Sequence, residues 1–316
     1  LWRARGREAA RRTGRARAGR PRSPCQPPLA SPSRRCARTS PLTISLLTAL
    51  TGDPSALFRH DVAFALGQRQ GAGALPALAR ALADEGEHPM VRHEAAEAAG
   101  AVGGPAAHAL LSAHAADPAP EVSQTCSLAL ARVQHYEAAE KAGKKEGEEA
   151  KRYLSVDPAP PAPPSTPTPA LVAAVTCPAA SLWDRYRALF ALRDRGGPEA
   201  VAALTAALRA GRPEKGGGGE DGDLSRPSVS EAALFKHEVA YVLGQMQEAA
   251  SVPALVACLE DGGEHAMVRH EAAEALGAVG GPAAQAALVA GARDAEPIVA
   301  HSCEVALDVL AHEASG

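Results

Sequence analysis

The chain repeats itself at a fixed register, and no other feature limits its fold as tightly. Four segments resemble one another: Phe58-Arg-His-Asp-Val-Ala-Phe-Ala-Leu-Gly-Gln, Val91-Arg-His-Glu-Ala-Ala-Glu-Ala-Ala-Gly-Ala, Phe235-Lys-His-Glu-Val-Ala-Tyr-Val-Leu-Gly-Gln and Val268-Arg-His-Glu-Ala-Ala-Glu-Ala-Leu-Gly-Ala. His60 and His93 stand 33 residues apart, as do His237 and His270, and each residue of the first pair lies 177 before its counterpart. A register kept through two copies marks a duplicated array.

Each segment reads as a helix, a short break and a second helix. In the third, Val239, Val242, Leu243 and Met246 form an i, i+3, i+4, i+7 apolar stripe. Gly and Pro punctuate the breaks, as in Gly280-Gly-Pro282 before a second run that ends near Ala292. A helix pair of this size cannot bury its apolar face alone and must stack on its neighbours. Glu121 to Tyr136 and Pro297 to Glu313 lack the His-acid pair and read as capping units, while Trp183 to Arg209 opens the second half. Ser40 to Leu57 reads as the second helix of an opening repeat whose first helix has no counterpart. Aromatics make up only 3% of the chain, which suits helices packed through small and aliphatic side chains. The fold class expected is therefore all-α, a helical-repeat solenoid in two pseudo-symmetric halves, residues 41–137 and 171–316, joined by a linker.

The linker, residues 138–170, is charged over Ala138 to Arg152 and proline-rich over Ala159 to Pro169, and is expected to be extended and exposed. Residues 211–230, with Gly216-Gly-Gly-Gly219, read as a flexible loop. Residues 1–40 hold twelve arginines and one acid; against the whole-chain charge of −3, their +11 leaves −14 for the remainder. They read as a disordered basic segment, a gene-model artefact or an isoform-specific exon being favoured over a transit peptide or an RNA-binding arm. The acidic body argues against a nucleic-acid-binding core and suits a cationic partner. No apolar run approaches the ~18 residues of a membrane span. Six scattered cysteines without a C-x-x-C pair read as free thiols in a reducing compartment.

On a wheel of about 100° per residue, with His237 at zero, Glu238 falls near 100° and the apolar stripe between roughly 140° and 240°. His237 and Glu238 therefore straddle the side opposite the core, as do His270 and Glu271, and the four pairs are expected to be exposed. One such pair can be simple surface polarity, with the acid complementing the helix dipole. Recurrence of histidine at all four places needs more than shared repeat ancestry, because the flanking units drop it. Imidazole with carboxylate is a ligand set for iron, manganese or zinc, and open positions suit oxygen-activating iron. Each half would supply the ligands of one metal, with the two metals near the pseudo-two-fold axis. Glu97 and Glu274 are candidates to orient a ligand histidine. His88 and His265 also repeat at 177 but read as solvated loop residues.

These His-acid helices, with Tyr153-Leu-Ser-Val-Asp-Pro158 in the linker and Ser302-Cys-Glu-Val-Ala-Leu307 near the end, resemble the deoxyhypusine hydroxylase family from about residue 41 onward. The resemblance implies a HEAT-repeat, di-iron monooxygenase that hydroxylates the deoxyhypusine residue of eukaryotic translation initiation factor 5A. It implies two Fe(2+) per chain, one on His60, His93 and Glu94 and the other on His237, His270 and Glu271. Dioxygen and an external reductant are the implied co-substrates. Asp61 and Glu238 match the remaining acids, available to metal or to the cationic substrate side chain, and are the expected catalytic pair. Asp61 departs from the family's glutamate, a carboxylate shorter by roughly 1.5 Å. A cytoplasmic setting, extendable to the nucleus, is the expectation. The rivals are a non-catalytic repeat scaffold docking a basic protein and a bilin lyase-like repeat protein.

Overall fold

The computed structural model describes residues 41–143, 152–210 and 229–315. Among these residues the secondary structure is helical, without strands, and no helix is long and apolar enough to cross a membrane. The first half holds α1 (Pro41–Gly52), α2 (Ala56–Arg69), α3 (Leu75–Ala83), α4 (Pro89–Val102), α5 (Gly104–Ala113) and α6 (Pro120–Lys141). The second holds α7 (Thr168–Thr176), α8 (Leu182–Arg195), α9 (Gly197–Arg209), α10 (Val229–Met246), α11 (Val252–Leu259), α12 (Ala266–Val279), α13 (Pro282–Gly291) and α14 (Pro297–Ala314).

The first helix of each repeat stacks on the next, so α2, α4 and α6 form one inner layer and α10, α12 and α14 the other. The two layers face each other across the pseudo-two-fold axis, where α6 meets α10 and α14 meets α2. Local sequence sets the ends of these helices. Ser55 caps α2 by accepting from the Phe58 amide, which stops α1 at Gly52 rather than letting it run to Leu57. Gly103 and Gly280, at φ 71° and 75°, end α4 and α12 in a conformation that favours glycine, and the chain reverses there.

The duplication extends to individual bonds. Arg59 binds Glu87 as Lys236 binds Glu264, and Arg92 binds Asp117 as Arg269 binds Asp294. Gln70 and Gln247, both left-handed after their helices, donate to the carbonyls of Ala101 and Ala278. The expected stripe of α10 lies in the core, with Val239, Val242 and Leu243 fully buried and Met246 nearly so. One difference separates the halves. In the second, α8 covers Phe235, placing Tyr186 against it and the Arg185 guanidinium 3.8 Å from its centroid. Burying a ring of this size contributes roughly 1.5–3 kcal/mol. Phe58, the equivalent of Phe235, is 47% exposed. The unmatched first helix and the basic segment of residues 1–40 lie outside the described residues, as does the loop of residues 211–228; Val229 and Ser230 already belong to α10.

The linker departs from expectation. Its first residues continue α6 to Lys141, and the stretch from Tyr153 to Ala159 is largely sheltered, with Ser155, Pro158 and Ala159 buried. Composition alone points to solvent and misses the polar residues that draw the chain inward. Foremost among them is Asp157, whose carboxylate receives both terminal nitrogens of Arg193 at 2.9 and 2.8 Å.

Candidate metal centre

His60, His93 and His270 are the fifth residues of α2, α4 and α12, and His237, equivalent to His60 in the repeat, is the ninth of the longer α10. Facing the two inner layers brings all four rings together. Neighbouring centroids are 5.9 Å apart for His60–His93, 5.3 Å for His93–His237, 5.4 Å for His237–His270 and 5.2 Å for His270–His60. The four imidazoles thus close a circuit whose cross-half contacts are the shorter ones.

The expected exposure of the His-acid pairs is wrong. His93 and His270 are fully buried, and His60 and His237 are 5% and 6% exposed. The wheel placed them opposite the core of their own half, which holds, but the other half covers that side. Glu94, Glu238 and Glu271 are buried as well, whereas the shorter Asp61 side chain is 41% exposed and touches His60 Nδ1 at 3.3 Å.

The ring nitrogens divide by function. Nδ1 of His93 faces the Thr125 hydroxyl at 3.4 Å, and Nδ1 of His270 faces the Ser302 hydroxyl at 3.4 Å and Glu274 at 3.5 Å. The two hydroxyls come from α6 and α14, the capping helices, and Glu274 from one turn further along α12; such contacts fix ring orientation. Glu274, a candidate to orient a histidine, lies beside His270 on the same helix. The Nε2 atoms of all four histidines are buried without a hydrogen-bond partner among the described residues, as is Glu271 Oε1. Carboxylates approach them: Glu94 Oε2 lies 3.5 Å from His60 Nε2 and 3.8 Å from His93 Nε2, and Glu271 Oε2 lies 3.3 Å from His237 Nε2. Possible ligand atoms of His60, His93 and Glu94 gather within 4.8 Å, and so do those of His60, His237 and His270.

Electrostatics points the same way. Burial, reinforced by neighbouring carboxylates, raises the Glu94, Glu238 and Glu274 carboxyls well above their ordinary range, and burial lifts Glu97 to about 7. Burial and the adjoining imidazoles hold His93 and His270 neutral well below the usual histidine range. Neutral imidazoles aimed at acids that repel one another form a donor set complementary to divalent cations. A buried nitrogen left without a partner costs roughly 1–3 kcal/mol, and four convergent ones fit metal ligands better than they fit a core.

Two roles escaped the sequence reading. His88 and His265 are not solvated loop residues: each caps its helix, Nδ1 accepting from the amide of Met90 or Met267 at 3.2 Å. Thr125 and Ser302 were legible only as a hydroxyl recurring 32 residues after His93 and His270.

The HEAT-repeat family profile matches residues 44–139 and 229–308, and the profile of the PBS lyase HEAT-like repeat matches residues 184–210. Deoxyhypusine hydroxylase of Bos taurus is 46% identical over 273 residues, covering 86% of this chain and 82% of that protein. The chain belongs to the deoxyhypusine hydroxylase family. Deoxyhypusine hydroxylase-B of Oryza sativa subsp. japonica is 45% identical over 265 residues, covering 84% of this chain and 80% of its own. The structure of human deoxyhypusine hydroxylase in complex with glycerol superposes with a TM-score of 0.74 at 44% identity, covering 86% of each chain. Membership in this hydroxylase family accords with the buried His/Glu cluster, which is compatible with iron.

Proposed function

We propose that this protein is an iron- and dioxygen-dependent monooxygenase that hydroxylates the deoxyhypusine residue of eukaryotic translation initiation factor 5A. One observation carries the reading: four buried imidazole Nε2 atoms, two from each half, converge without partners among carboxylates, in a chain of the deoxyhypusine hydroxylase family. The substrate on this reading is a protein carrying a modified lysine, a long side chain with protonated amines.

His60, His93 and Glu94 would hold one Fe(2+), and His237, His270 and Glu271 the other. Bound ferrous iron supplies the activation of dioxygen, with an external reductant restoring the electrons. The polypeptide does the positioning. Thr125 and Ser302 hold the rings of His93 and His270 so that Nε2 points inward. Asp61 and Glu238 flank the first histidine of each half and are the acids placed to pair with substrate amines, Asp61 at the more open position and Glu238 within. Pairing at both ends fixes which carbon is presented to the centre. Closure of one half on the other keeps bulk water from the four histidines, which strengthens each of these charge contacts. A scaffold or a bilin lyase would use the repeats but leave the inward imidazoles without a task.

The test is incubation of the purified, Fe(2+)-loaded chain with deoxyhypusine-bearing factor, dioxygen and reductant. The factor is expected to gain the mass of one oxygen atom, and the gain to vanish with a chelator or under anaerobic conditions. A chain that holds iron yet leaves the factor's mass unchanged contradicts the assignment.

A further inference from the structure

The segment Tyr153 to Pro158 lies between the two halves and is gripped from both sides. From the first half, Gln68 of α2 makes two bonds to Val156, its Oε1 accepting from the amide at 2.8 Å and its Nε2 donating to the carbonyl at 3.2 Å. Arg132 of α6 donates through Nε to the Asp157 carbonyl at 3.0 Å and through Nη1 to the Gly100 carbonyl at 2.7 Å. From the second half, Arg193 of α8 clamps the Asp157 carboxylate, stacks over the Tyr153 ring at 4.7 Å and donates to Gln245 Oε1 at 2.9 Å. Gln245 of α10 in turn donates to the Ser155 hydroxyl at 3.0 Å, and that hydroxyl donates to Asp157 Oδ1 at 2.6 Å.

The two glutamines are counterparts at the 177-residue offset, each eight residues after the first histidine of its half. Eight residues of helix span about 12 Å, a little over two turns. Midway, Phe64 and Tyr241 meet edge to face at 6.0 Å, and Gln245 also donates to the Tyr241 hydroxyl at 3.1 Å. Successive turns of α2 and α10 therefore face each other in three layers: the histidines, where His60 and His237 stand diagonally in the ring circuit with possible ligand atoms within 4.8 Å, the aromatic pair, and the glutamines closed around the linker. Between the two glutamines stands a polypeptide segment rather than a direct contact, so the linker's width sets how far apart those helix ends stand.

We propose that Tyr153 to Pro158 is a clasp and that Gln68, Asp157, Arg193 and Gln245 are positioning residues that set the separation of α2 and α10, and through it the spacing of the two metals. This rests on the metal-centre reading above. Each half keeps its own ligands when the clasp opens, so its loss alters the relation between the metals rather than their number.

The decisive variant is Gln68→Ala in the full chain, which releases Val156 from the first half and removes no ligand. In the metal-free protein, amide exchange at Val156 is expected to speed at least ~10-fold, because its bond no longer needs wider unfolding to open. With Fe(2+) loaded, iron content is expected to stay at the wild-type value while magnetic coupling between the irons weakens. Turnover is expected to fall up to about 10²-fold at unchanged KM, the penalty of a misplacement near 1 Å. Should Gln68→Ala not fold, Ser155→Ala, which loosens the second half's hold through Gln245 and Asp157 and leaves the Gln68–Val156 bonds in place, carries the same expectation for iron content, coupling and turnover. Faster exchange at Val156 with unaltered coupling and kcat overturns the proposal. A wild-type chain whose irons couple, and lose coupling on Gln68→Ala, but which hydroxylates nothing removes the functional reading and leaves the clasp standing.

Discussion

His60 and His270 come from opposite halves of the chain, and their rings stand edge to face with centroids 5.2 Å apart, closer than His60 is to its own-half partner His93. The centre therefore belongs to the interface between the two repeat arrays rather than to either array. Each half presents its histidines on the side away from its own core, and only the other half makes that side an interior.

The hydroxyls behind the buried rings give a first prediction. Ser302→Ala and Thr125→Ala remove the groups that face Nδ1 of His270 and His93 at 3.4 Å. Each variant is expected to bind ferrous iron about 10–100-fold more weakly, as loss of an outer partner of a ligand usually does. Anaerobic iron titration measures this, and unchanged affinity in both variants would assign the hydroxyls to packing.

A second prediction follows from the acids. Glu97 is lifted to about 7 by burial, and burial also raises Glu94, Glu238 and Glu274. Groups with raised carboxyl pKa bind more protons folded than unfolded, so their contribution to stability is lost as pH rises through the folded value. His93 and His270, with lowered values, act in the opposite sense, but with the unfolded histidines half charged at about 6.5 this effect fades by about pH 7.5 and is outweighed by the four carboxyls. Above pH 6.5 the metal-free protein should thus lose stability as pH rises toward 8, while iron-loaded protein should not. Urea melts at pH 6.5 and 8, with and without iron, read the difference; a metal-free protein that gains stability over this window contradicts the account.

Asp61 supplies a third. It is the one site acid shorter than its counterpart, Glu238. Asp61→Glu extends the carboxylate by about 1.5 Å and is expected to lower KM for the deoxyhypusine-bearing factor several-fold without changing iron content. Asp61→Ala is expected to raise it. Identical KM in all three proteins would remove Asp61 from substrate binding.

Close packing of the helices that carry His93 and His270 gives a fourth. A Cβ on Gly277 would lie 2.8 Å from Ala306 Cβ, and one on Gly100 would lie 2.6 Å from Ala129 Cβ. Alanine at either place gains up to ~1 kcal/mol of helix propensity. The overpacking it forces costs ~1–3 kcal/mol and displaces the helix that carries His270 or His93. Net destabilisation, read as a lower urea midpoint, is the expected result for Gly100→Ala and Gly277→Ala.

Much of this architecture is legible in the residues alone, for a definite reason. The period of 33 and the offset of 177 place His60, His93, His237 and His270 on equivalent helices, and stacking then leaves few ways to arrange them. What the pattern cannot convey is how one half meets the other. A helical wheel of α10 sees only the core behind Val239 and Leu243, so it reports His237 as exposed when α6 and the first half cover it. The linker is opaque for a related reason: proline and charge predict solvent, whereas Asp157 is drawn inward by one guanidinium 36 residues away in the chain. His88 and His265 were misread because histidine is not among the usual capping residues, although their place one residue before Pro89 and Ala266 is a capping place.

The most direct test of the centre is iron stoichiometry of the anaerobically loaded chain beside His93→Ala and His270→Ala. The account predicts two irons in the wild-type protein, about one in each variant, and hydroxylation reduced at least ~10²-fold in both, since losing even an outer partner of a ligand costs up to that much. Two irons and full activity in both variants would contradict it.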